Sequence, residues 1–86
     1  MTITKQAVAD KLAGYLRHEL TLEELVDWSE RAMMGAEFVA PDAGTISAVV
    51  SRLGVADVRA FGLTWDDCQE LLQKLGFSAR VDVVAA

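Results

Sequence analysis

Leu20-Thr21-Leu22-Glu23-Glu24-Leu25 and, forty-three positions later, Leu63-Thr64-Trp65-Asp66-Asp67-Cys68 are the two stretches that decide how this chain folds. Each places a threonine ahead of a carboxylate three residues on. That spacing lets the hydroxyl accept from a freed backbone N–H while the carboxylate reaches back to the N–H of the threonine itself. The acids also sit at the positive end of the helix dipole. An apolar residue stands before each threonine, so Leu20 can staple to Leu25 and Leu63 to Cys68. Two helix starts are therefore predicted, at Thr21 and Thr64. The match between them covers about nine residues, and capping boxes are too common for it to imply a duplicated unit.

From Thr21 the pattern Leu22, Leu25, Val26, Ser29 and Met33 predicts a helix to about Met34, with Glu23, Asp27 and Glu30 on the opposite side and Gly35 ending it. Upstream, Val8, Leu12, Tyr15 and Leu16 fall on one face of a helix running from a Thr4 cap to about His18. Only Leu20 and Thr21 separate the two, which makes them sequential neighbours. Downstream, Glu37-Phe38-Val39 is extended in character. Pro41 and Asp42 mark a third helix, to about Leu53, with Ile46, Val49, Val50 and Leu53 inward and Gly54 as a left-handed stop. An extra helical turn is expected near 57–61, with Val58 and Phe61 covering the core. The fourth helix runs from Thr64 to Leu75, its stripe being Trp65, Cys68, Leu71, Leu72 and Leu75, and Gly76 closes it.

The tail changes period. Phe77, Ala79, Val81 and Val83 alternate with Ser78, Arg80, Asp82 and Val84, the two-residue rhythm of a half-buried strand. Its expected partner within the chain is 37–39, giving a two-stranded ribbon. The other route is pairing with a second copy, which would make a homodimer through Phe77 to Val84. The fold class that follows is mainly α with a minor β element: one compact four-helix domain over residues 1–86.

Composition narrows the function classes. The 86 residues are 52% hydrophobic and carry a net charge of −5, enough apolar material for a single small core. The acidity is local: residues 19–42 hold seven of the thirteen carboxylates against the single cation Arg31. Such a surface repels nucleic acid and anionic membranes and steers a basic partner toward itself. The longest uncharged run, Ala43 to Ser51, is far too short for a membrane span of roughly 20 residues. Met1-Thr2-Ile3-Thr4-Lys5 leads into a helical pattern without the apolar core of a secretory signal, which predicts a cytoplasmic protein.

Reactive chemistry has little material. Cys68 is the single cysteine and His18 the single histidine, so neither a disulfide nor a cysteine zinc cage is expected. A Cys68–His18 dyad is opposed by the apolar stripe around Cys68, where a thiol is a small hydrophobe; His18 reads instead as a helix-end residue. In Glu23-Glu24 and Asp66-Asp67, neighbours about 100° apart on a helix divide into one capping and one solvated carboxylate. No calcium loop, phosphate-binding glycine run or zinc motif is present. No catalytic residue, metal or cofactor is expected.

Val50-Ser51-Arg52-Leu53-Gly54-Val55-Ala56-Asp57-Val58-Arg59 resembles the centre of helix-turn-helix regulators over about ten residues. The resemblance implies a DNA-binding regulator as the alternative function, with Arg52 and Arg59 as its basic contacts. Phe61-Gly62 interrupts its second helix, and the chain is net negative. In acidity and size the chain is similar in character to bacterial immunity proteins and antitoxins, although no motif ties it to them. The leading expectation is a non-catalytic protein-interaction domain. Its candidate partner-binding residues are Glu23, Asp27, Trp28, Glu30, Met34 and Phe38, the apolar side chains anchoring a basic partner and the acids steering it.

Overall fold

The computed structural model describes residues 2–80 and 83. Four helices lie within that range: α1 (Lys5–Leu16), α2 (Leu22–Gly35), α3 (Ala43–Gly54) and α4 (Trp65–Lys74). Three start as their side chains dictate. The Thr4 hydroxyl accepts from the Ala7 N–H at 3.0 Å. At α2, the Glu24 N–H donates to the Thr21 hydroxyl and the Thr21 N–H to the Glu24 carboxylate, both at 3.1 Å. At α4 the Asp67 N–H donates to Thr64 at 3.1 Å and the Thr64 N–H to Asp67 at 2.9 Å. Helix α3 starts otherwise: Asp42 makes no side-chain cap bond, and its carboxylate lies 3.4 Å from the Lys5 ammonium.

Helices α1 and α4 end in the same way. Beyond α1 the His18 N–H donates to Tyr15 O and the Glu19 N–H to Gly14 O. Beyond α4 the Gly76 N–H donates to Gln73 O and the Phe77 N–H to Leu72 O. Both are Schellman closures, which need a left-handed residue at the turn. Gly76 supplies it at φ +87° and His18 at φ +64°, a conformation that costs a β-carbon residue some strain. Gly54, expected as a left-handed stop, is instead the last residue of α3 and has no positive φ.

The short sheet corrects the expected ribbon. Residues 37–38 (β2) pair in parallel with Thr2–Ile3 (β1), in the register Thr2↔Glu37 and Ile3↔Phe38. The Val39 N–H continues the ladder to Ile3 O at 3.1 Å. A parallel pair needs a long crossover, and the α1–α2 hairpin provides one. Residues 77–80 form no strand. Phe77 and Ala79 pack against the core, so the alternating rhythm there sets these two side chains on the helices; 81, 82 and 84–86 lie outside the described residues.

The core is where the helical stripes meet. Val8 and Leu12 of α1, Leu25 of α2, Val50 and Leu53 of α3 and the thiol of Cys68 are each wholly covered. Burying each aliphatic side chain contributes about 1.5–3 kcal/mol. The pair α2–α3 forms the most extensive helix contact. Ser29 of α2 is fully buried and satisfies its hydroxyl by donating to Leu25 O at 2.9 Å, as a polar group inside a core must. Residues 55–62 form successive turns. Ala56 is buried there while Val58 and Phe61 stay exposed, the reverse of the expected covering role.

Candidate functional site

Helix α2 divides into three faces, and the division sorts the six candidate residues. At 100° per residue, Leu25, Ser29 and Ala32 define the buried face, all fully covered. Glu23, Asp27, Glu30 and Met34 fall together on the opposite face, and all four are exposed. Trp28 lies on the rim toward α1. Its ring packs against the core, and the Lys11 ammonium stands 5.6 Å from its centroid, a cation–π contact. Phe38 is likewise half-buried against the core from β2. The structure thus brings four of the six together on one helix face and leaves Trp28 and Phe38 as core-edge residues.

Met34 is 86% exposed. An unbranched thioether left in water at the end of an acidic stripe adapts to many apolar surfaces. Met33, placed inside by the sequence pattern, is 45% exposed while Ala32 takes the buried position; the Ser51 hydroxyl points at the Met33 sulfur at 3.5 Å. The Asp27–Arg31 pair at 2.9 Å is open to solvent at both ends, so it is worth at most about 1 kcal/mol and yields readily to another cation.

A second charged cluster joins α3 to α4 and is structural in character. The Arg52 guanidinium donates to Gly62 O at 3.1 Å, lies 3.5 Å from the Asp67 carboxylate and stacks over Phe61 at 5.7 Å. The Thr64 backbone and hydroxyl bonds hold the Asp67 carboxyl below its ordinary pKa of 3.8, with a smaller contribution from Arg52. Burial, followed by the Asp67 charge, pushes the neighbouring Cys68 thiol up to about 11, where almost none is thiolate at neutral pH.

His18 and Cys68 are not brought together as a dyad: Cys68 is buried, while His18 is exposed and lines a cavity with Tyr15, Leu20, Leu63 and Trp65. In each acidic pair the second member caps a helix, and Glu23 and Asp66 remain exposed. Among the described residues no group of three or more His, Cys, Asp or Glu is placed to hold a metal ion, and no helix is long and apolar enough to cross a membrane. The segment resembling a helix-turn-helix has turns where its second helix would stand, and Arg52 is turned inward. No family model, curated protein or solved structure matches this chain.

The sequence pattern also missed a groove between α1 and α4. Trp65, assigned to the buried stripe, is 38% exposed and lines it, together with Arg17 and Arg80. Its signals were Gly76, whose positive φ folds the chain back, and the small residues Ala9 and Ala13 on the facing side of α1.

Proposed function

We propose that this chain is a non-catalytic protein-recognition domain that docks a basic partner through the outer face of α2. The surface comprises Glu23, Asp27, Glu30 and Met34, with Met33 at its border. The observation that carries the reading is Met34, 86% exposed at the end of a stripe otherwise made of carboxylates. An apolar anchor beside three carboxylates, one of them paired with the solvent-exposed Arg31, combines affinity with steering. The burial of Cys68 away from His18 supports a role without nucleophilic chemistry. Trp28 contributes indirectly, by fixing α2 against α1 beneath Lys11.

The test has two stages. The wild-type domain serves first as bait, and the retained protein is then purified and titrated against variants. Met34→Asp and the triple variant Glu23→Lys/Asp27→Lys/Glu30→Lys should each weaken binding about tenfold or more. The triple variant should also slow association and abolish its dependence on salt. Glu70→Lys, an exposed acid on α4, serves as the control of equal charge type. Affinities that survive both α2 variants would reject this surface.

A further inference from the structure

The α1–α4 groove is a concavity that shares no lining residue with α2. Ala9, Ala13 and Leu16 of α1 form one wall, and Trp65 and Leu72 of α4 form the second. The third wall is the segment Phe77–Arg80, turned back by Gly76 at φ +87° and fastened by the Phe77 N–H to Leu72 O at 2.9 Å. The groove is half open to solvent and holds about 590 Å³, within the volume range of small-molecule sites. A neighbouring cavity of about 510 Å³ shares Leu16 and Trp65 with it.

Its charges distinguish it from the rest of the surface. The protein is net −5, yet the charged residues lining this groove are Arg17, Arg80 and Asp10. Asp10 already accepts from the Gln6 side-chain amide at 2.8 Å. Among the described residues neither Arg17 nor Arg80 is in an ion pair. Guanidinium groups beside an apolar wall recognise planar oxyanions in two-point fashion, and an exposed indole adds a flat apolar face.

We infer that this groove binds an anionic amphiphile: a carboxylate with a medium-length hydrocarbon body, the body lying on Leu16, Trp65, Leu72 and Phe77 and the carboxylate meeting Arg17 and Arg80. This site is independent of the α2 surface. A neutral chain of the same length lacks the oxyanion, and a short anion lacks the body.

Decanoate is the probe, titrated below its micelle concentration into the full chain carrying Trp28→Phe, so that Trp65 alone reports. A saturable blue shift of Trp65 emission is expected, with amide NMR shifts at Ala13, Leu16 and Leu72 and none along 23–34. Decanol and acetate should each bind at least about tenfold more weakly, as should decanoate to Arg17→Gln/Arg80→Gln, which removes charge-assisted hydrogen bonds. Both arginines are exposed, so that variant keeps its fold, checked by circular dichroism. The same titration without Trp28→Phe, followed by NMR alone, guards against an effect of that substitution. Any of four results overturns the inference: no saturable response in either background, shifts mapping elsewhere, equal binding of decanol, or undiminished binding to the arginine variant. Phosphatidylglycerol vesicles binding more tightly than monomeric decanoate would make the ligand a lipid surface and overturn it as well.

Discussion

Helices α2 and α4 begin with the same hydrogen-bonded box, but only the second box reaches another helix. Glu24 bonds back to Thr21 and remains exposed. Asp67 bonds back to Thr64, is half-buried, and also meets Arg52 from α3, which in turn holds Gly62 O and covers Phe61. A local signal thus starts both helices, and a tertiary partner turns one of them into a clamp. The other box makes no such contact, and the outer face of α2 stays open to solvent.

The widest gap should appear in thiol chemistry. Cys68 lies one residue after the clamped carboxylate, with its pKa raised from 9.0 to about 11, which lowers the thiolate fraction about a hundredfold near neutral pH. Labelling with a disulfide reagent should therefore be slower in the folded protein by at least that factor than in denaturant, and comparable rates would show that the α4 start opens freely. Next comes Arg52→Ala, which removes the Asp67 pair and the Gly62 bond together. We expect a loss of about 2 kcal/mol in urea unfolding, against less than about 0.5 kcal/mol for Arg31→Ala on the solvent-exposed α2 pair. Equal losses would break the comparison.

The threonines isolate the local part. Thr21→Ala and Thr64→Ala should each cost about 1 kcal/mol, and a much larger value at Thr64 would mean that cap and clamp are coupled. The smallest effect is in acid. Asp67 titrates below 3.8 in the folded protein, so the unfolded chain takes up its proton first. Its contribution is complete above that value and disappears as pH falls through it toward the lower folded pKa. Asp67→Asn should flatten the stability profile in that window and leave its shape near neutrality unchanged, as measured by denaturation at fixed pH steps.

The contrast also explains what could be read in advance. The three threonine caps, the helical stripes through Leu12, Leu25, Leu53 and Leu72 and the stop at Gly76 depend on residues within a turn or two of one another, and all are legible in the sequence. The partner of residues 37–38 is set by a segment at the other end of a two-helix crossover, where two residues of β1 carry no periodic signal. Val58 and Phe61 had helical spacing but no helix to give that spacing a face. The candidate site was half legible: periodicity places Glu23, Asp27, Glu30 and Met34 together, but whether rim residues such as Trp28 turn inward depends on what α1 offers, here Lys11. His18 in a left-handed turn escaped notice because glycine is the usual sign of that conformation.

The pairing of Thr2–Ile3 with Glu37–Phe38 also has a kinetic consequence. Joining segments thirty-five positions apart closes a long loop, so it gains little until the α1–α2 hairpin has brought the ends near. The strand pair should accordingly close late, after the barrier. Ile3→Ala would then hasten unfolding while scarcely slowing refolding, and a stopped-flow chevron would show it in the unfolding arm alone. The first few residues would act as the latch on a domain whose helices assemble before it engages.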